Sequence, residues 1–362
     1  MYISGNPLLA APRVSTTTTM QPLTLKSLLP LSAPVCTCAT TTHPCLQRHT
    51  HTDGFRIPPH RIVIDAHVHI FPPRLMSAVW RFFDQHYWPV VYKDAYADSQ
   101  VDFLIDQGVR HVVLLQYAHK DGIARGLNEF MATTVRRMNE KYGMKVATGL
   151  ATVMPGEEDA CGILEEAFTR WGLMGVKLHS HVQVIAANDP KMDPLYTTCA
   201  AHNRPILLHA GREPNSAAYK QDTYELCSAS RIDDVLTCHP TLRLCVPHMG
   251  WNETELYVAL LKRHRNLYLD TTMMLSDLFP TVKGTPTRAQ LAKWMGENSD
   301  RILYGTDFPN ISYTWHTEFA NLCDEGEYRL EEEVLERILY KNAMELYGIG
   351  KDGLGVVARS SL

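Results

Sequence analysis

Several features are missing from this 362-residue chain, and each absence removes a class of function. No uninterrupted apolar run approaches the ~18 residues that a membrane-spanning helix needs, so no membrane partner is expected. There is no basic excess: 35 Lys+Arg face 39 Asp+Glu, a formal charge of −4. Nucleic-acid binders usually carry a basic face, so no nucleic-acid partner is expected either. The nine cysteines are an odd number without the spacing of a small disulfide scaffold, which points to free thiols in a reducing compartment. No glycine-rich dinucleotide fingerprint follows the first apolar run, which weakens a doubly wound open sheet as the fold.

Acidic residues are also missing, but only from the first 52 positions. Residues 1–60 are rich in Thr, Ser, Pro and Leu, with Arg13, Lys26 and Arg48 as the only Lys/Arg charge before Arg56. An acid-poor, hydroxyl-rich, lightly basic segment has the character of an organelle transit peptide. A disordered extension, or a gene start placed too early, has the same composition. Cys36, Cys38, His43 and Cys45 lie here, but Thr/Pro-rich neighbours give no framework for a metal knuckle. The expected organisation is an extension over 1–60, one folded domain over 61–350 and a short tail over 351–362. The expected location is cytoplasmic, or mitochondrial or plastid if the extension is a transit peptide.

The whole chain is 45% hydrophobic and 20% charged, typical of globular proteins, and from Arg61 onward a regular alternation begins. Short β-branched or Leu-rich runs predict strands over 61–70, 111–117, 146–153, 175–181, 205–211, 243–250, 266–272 and 301–308. Helical periodicity fills the gaps, at 98–107, 122–141, 157–171, 194–203, 223–237, 253–264, 287–298 and 330–347. Gly108, Gly143, Gly172 and Gly348 stand where helices should stop. Eight strands alternating with helices predict an α/β fold, a (β/α)8 TIM barrel. Insertions over 71–97, 212–222 and 309–320 follow strands and so fall on the catalytic face. The first is crowded with aromatics, which suits a pocket wall, a satellite core or an oligomer contact such as a homodimer.

Polar residues sit where strands should be apolar, at their C-terminal ends. Strand one ends in His67 and His69, strand four in Lys177 and His179, strand five in His209, strand six in His248 and strand eight in Asp307. Side chains at i and i+2 of a strand share a face, so His67 and His69 project side by side, with Asp65 on the same face by that rule. In a barrel all these ends meet at one mouth. His67, His69, His209 and Asp307 then make three imidazoles and a carboxylate, a set that suits one Zn2+, with Mn2+ or Fe2+ also accommodated. A metal lowers the pKa of water from 15.7 toward about 7, and Asp307 and His248 are placed to accept or shuttle its proton.

The motifs DAHVHI, GVKLH, LLHAG, VPHMG, NLYLDTT and YGTDFP resemble the amidohydrolase superfamily. The likeness is to the amidohydrolase-related branch that includes aminocarboxymuconate semialdehyde decarboxylase, and it covers roughly Arg61 to Ile349. It implies His67, His69, His209 and Asp307 as metal ligands, and His248 as the residue that orients water or polarises the substrate. Lys177 has three open roles: substrate binding, a structural ion pair, or a carboxylated lysine bridging two metals. His179 and Arg212 are further candidates for substrate binding, and Asp270 and Asp65 for holding a ligating histidine. The expected activity is a metal-dependent hydrolase acting on a small-molecule C–N or C–O bond. The alternative is a non-oxidative decarboxylase (carboxy-lyase) of cyclic or conjugated acids; a metal-independent lactonase and a silent scaffold are weaker rivals.

Overall fold

The computed structural model describes residues 55–93, 95–213, 215–276, 285–323 and 328–354. The transit-like segment and the Cys36–Cys45 cluster lie outside the described residues. The strands are β1 (Ile64–His69), β2 (His111–Leu115), β3 (Ala147–Gly149), β4 (Val176–His179), β5 (Ile206–His209), β6 (Leu244–Val246), β7 (Leu267–Asp270) and β8 (Ile302–Leu303). All pairings are parallel, in one run β1-β2-β3 and another β4-β5-β6-β7-β8. Single parallel bridges, Ala151↔Val176 and Val68↔Phe308, join the two runs into a closed barrel. The eight-stranded α/β barrel expected from the alternation is therefore the fold.

Each strand sends alternate residues outward and inward. Val176 and Leu178, Ile206 and Leu208, and Leu244 and Val246 pack outward against the helical layer. Ile64, Val113, Leu150, Leu207 and Leu303 fill the barrel floor. That floor is sealed by the last helix (Asn342–Tyr347), whose Ala343, Leu346 and Tyr347 join the same cluster. Gly143 and Gly348 cap their helices in the left-handed conformation, as glycine does at a helix stop.

Two expectations need correction. The insertion over 71–97, where no helix was expected, holds α1 (Pro73–His86), started by a proline in its first turn. The predicted strands overrun at their C-terminal ends. The sixth stops at Val246, and Pro247 leads into a tight 3-10 turn in which His248, Met249 and Trp251 all take positive φ. The eighth is regular only over Ile302–Leu303, and Asp307 is left-handed at φ 64. Such outliers cost of order 1–3 kcal/mol each and gather at functional sites. Among the described residues, no helix is long and apolar enough to cross a membrane, and no cysteine is in a disulfide.

Leu346, fully buried in the barrel floor, tests this packing. Leu346→Ala is expected to lower stability by roughly 2–5 kcal/mol in urea denaturation.

Candidate active site and metal centre

The site begins with an irregularity in β1. The register with β2 slips between Asp65 and Val68, so one extra residue is accommodated there. Ile64 and Ala66 belong to the floor cluster, yet Val68 and Ile70 pack outward, so the bulge switches the alternation and turns His67 and His69 inward. Asp65 is thereby parted from the histidine face, contrary to the i, i+2 expectation. Its carboxylate accepts from the Thr306 hydroxyl (2.6 Å) and backbone N–H (3.1 Å) and from the His67 N–H (3.2 Å). It therefore laces β1 to the chain after β8. Burial pushes its pKa up to about 7. Gly305 allows that close approach, because a Cβ there would lie 2.7 Å from His67 Cβ.

Three ligand atoms then converge. His67 Nε2 and His69 Nε2 are 3.1 Å apart, and Asp307 Oδ1 lies 3.3 Å and 3.1 Å from them. Bonds of about 2.0–2.1 Å to a zinc-like ion put neighbouring ligands roughly 2.9–3.4 Å apart, so the trio fits a divalent cation. His67 Nδ1 is 2.8 Å from Asp270 Oδ2. A carboxylate in that position accepts a hydrogen bond from Nδ1–H and so leaves the Nε2 lone pair free to bind a metal. The second Asp270 oxygen accepts the backbone N–H groups of His248 (2.9 Å) and Thr272 (3.1 Å). Burial alone would raise Asp270, but the charge and hydrogen bond of His67 hold it down at about 2. Asp270 therefore holds the His67 ring, whereas Asp65 meets only the His67 backbone.

The remaining candidates divide. His248 faces the mouth from its strained turn, 4.7 Å from the His209 ring, and its Nδ1 hydrogen-bonds the Thr272 carbonyl at 3.0 Å. Burial depresses both His248 and His69 to about 4, so both imidazoles are neutral near pH 7. His209 stacks on His179 at 4.0 Å, but it is not part of the metal trio. Its Nε2 is 3.6 Å from Glu213, and it groups instead with His181 and Glu213. Both His181 nitrogens are engaged, by the Thr223 hydroxyl (2.6 Å) and the Gly211 carbonyl (3.0 Å), whereas the buried His209 Nε2 has no hydrogen-bond partner.

Lys177 is completely buried, with no hydrogen-bond partner for Nζ, and burial lowers it to about 8. It does not line the cavities described below, so the expectation of direct substrate contact is not met by its placement. Arg212 is turned away as well. Its guanidinium pairs with Glu225 (2.6 Å), lies 3.5 Å from Glu253 and covers the Tyr224 ring. The residue facing the mouth is its neighbour Glu213, which accepts from the Tyr87 hydroxyl at 2.7 Å. Burial opposes ionisation of Glu213, but His181, His209 and Tyr87 hold it well below the usual carboxylate range.

Two adjacent cavities border these groups. The inner one, about 30 Å³, is bordered by His69, His209, Glu213, His248 and Asp307. The outer one, about 500 Å³, is walled by Leu75, Val79 and Phe82 of α1 and by Val182 and Ala218. Phe83, Tyr117, His179 and Tyr219 border both and form the neck between them.

A family model described as Amidohydrolase matches residues 64–349, which spans every site residue above. The chain belongs to the amidohydrolase family. It is an enzyme of that superfamily. No curated protein matches it. Solved structures with a similar fold include an uncharacterised TIM-barrel protein from Bordetella bronchiseptica, at 19% identity and TM-score 0.60, covering 80% of this chain and 99% of that one. A dihydroxybenzoic acid decarboxylase from a Polaromonas species, with bound manganese and 2-nitroresorcinol, has 17% identity and TM-score 0.60, covering 82% and 99%. A candidate 2-pyrone-4,6-dicarboxylic acid hydrolase from Pseudomonas putida has 15% identity and TM-score 0.54, covering 80% and 98%.

In this amidohydrolase, Glu213, Tyr87 and Tyr219 border the inner cavity and were missed by strand-end reasoning. The spacing of His209 and Glu213, four residues apart across the strand-five turn, was the available signal. The Glu213 contact is testable through Tyr87. Tyr87→Phe removes a hydrogen bond to a buried charged carboxylate and is expected to lower stability by about 1.5–3 kcal/mol in urea denaturation.

Proposed function

We propose that this amidohydrolase is a metal-dependent hydrolase that cleaves a small C–N or C–O bond at the mouth of the barrel. The convergence of His67 Nε2, His69 Nε2 and Asp307 Oδ1 carries this reading. These three residues would hold one divalent ion, Zn2+ first and Mn2+ or Fe2+ as alternatives, with His209 the fourth candidate across the inner cavity. When bound, such an ion supplies Lewis acidity and a water of depressed pKa.

The protein's own groups do the rest. Asp270 fixes the ring of His67 and the backbone of His248 from one carboxylate. Asp307 accepts the proton of the attacking water at its second oxygen, Oδ2, and passes it to the leaving nitrogen or oxygen. His248, with its Nδ1 proton committed to Thr272, offers Nε2 as the basic atom that orients the attacking water. His179 borders both cavities and is the substrate-contacting residue on the fourth strand. The aromatic neck restricts water around the reacting carbonyl, which strengthens each polar contact within.

The second reading is a carboxy-lyase, supported by the decarboxylase among proteins of similar fold. The same residues would then hold a conjugated or cyclic acid while carbon dioxide leaves.

The test is a screen of esters, amides, lactones and conjugated carboxylic acids with metal-loaded protein in 18O-labelled water. Hydrolysis puts one solvent oxygen into the product. Stoichiometric carbon dioxide without solvent oxygen would overturn the hydrolase reading in favour of the lyase. Asp270→Asn is expected to weaken metal affinity 10–100-fold in competition with a chelating dye. Unchanged affinity would contradict the role given to Asp270.

A further inference from the structure

The inner cavity is too small for a substrate. Its 30 Å³ suits one or two water-sized groups, whereas the outer cavity of 500 Å³ falls in the range of sites for drug-sized ligands. The two share the ring-lined neck, so a molecule reacting in the inner cavity must leave its bulk outside.

The outer wall has an unusual source. Helix α1 is strongly amphipathic, with one broad apolar side. Met76 and Trp80 are buried with Phe71 and Val90, and this anchors the helix. Leu75, Ala78, Val79 and Phe82, at helical spacing of three and four, line the outer cavity and are left partly exposed. An apolar stripe on a solvent-side helix usually faces a core, but this one faces a concave space that shares four lining residues with the catalytic mouth. The polar side chains at that space are His119, His179, Lys220 and the two tyrosines, Tyr117 and Tyr219.

We infer that the substrate carries an extended apolar arm, of several carbons beyond the reacting carbonyl, and that the α1 stripe binds this arm. The substrate class is an amphipathic ester, amide, lactone or carboxylic acid. A compact, fully polar acid does not match it. The carbonyl end passes the neck of Phe83, Tyr117, His179 and Tyr219 to the inner cavity, while the arm lies against Leu75, Val79 and Phe82. This inference rests on the reading of the His67–His69–Asp307 end as the reacting end.

The experiment is calorimetric titration of metal-loaded, full-length protein with straight-chain alkanoates from acetate to decanoate. Affinity is expected to rise about fourfold for each methylene that enters the outer cavity, the equivalent of about 0.8 kcal/mol, and then to level off. Val79→Glu places a carboxylate in the wall and is expected to flatten this rise, with acetate as the reference within the same variant. Leu75→Gln serves the same purpose if Val79→Glu does not fold.

A flat series in the native protein, or a rise unaffected by both variants, overturns the inference. A second copy of the chain packed on the α1 stripe would give a dimer in sedimentation and a flat series, and would overturn it too. Asp307→Asn separates the two readings. A preserved rise with chain length in that variant supports the apolar subsite whatever the metal site does. Metal binding unchanged by Asp307→Asn would refute the proposed metal centre alone.

Discussion

The buried carboxylate of Asp270 is the constraint on which the mouth of the barrel depends. One oxygen meets the His67 ring and the other receives the backbone N–H groups of His248 and Thr272. A single group at the end of β7 therefore sets the tautomer of a metal-facing imidazole and the position of the strained turn that carries His248. A buried carboxylate is costly unless its hydrogen-bonding capacity is used. Here it is used by three donors on three different segments, so the cost is offset by fixing the geometry of the site.

The closure of the barrel serves the same end. Regular pairing lapses between β3 and β4 and between β8 and β1, and single bridges span both gaps. At the second gap the loss of ladder is made good by Asp65 and Thr306 and by the Asp307 N–H to the His67 carbonyl at 3.0 Å. The departures from regular strand here are what aim side chains inward. The bulge in β1 presents His67 and His69, and the left-handed residue after β8 presents Asp307.

Much of this was legible in the residues because period-two alternation makes polar strand ends conspicuous. His69, His209, His248 and Asp307 border the inner cavity, and the buried His67 meets Asp307. What was not legible came from local geometry without a sequence marker. Nothing in Ile-Asp-Ala-His announces a bulge, so Asp65 was assigned to the histidine face when it stands on the other. Lys177 has the right parity to point inward, but parity does not give height along the barrel, and it is buried and borders neither cavity. Arg212 attracted attention by its charge, yet Glu225, Glu253 and Tyr224 hold it outward while Glu213 turns in. The helix α1 was concealed by aromatic residues, which are poor helix formers and read more readily as a loop.

The mouth therefore has two parts with separate physical characters: a small polar centre built on the strand ends, and a large apolar chamber built on the first insertion. Chemistry and recognition are assigned to different segments of chain, as the barrel architecture permits. The claim beneath all of this is that His67, His69 and Asp307 share one divalent ion. X-ray absorption of the zinc-loaded protein tests it most directly. A nitrogen/oxygen shell at about 2.0–2.1 Å with imidazole scattering that weakens in His69→Ala is predicted. A sulfur shell, or a spectrum unchanged by His69→Ala, would contradict it.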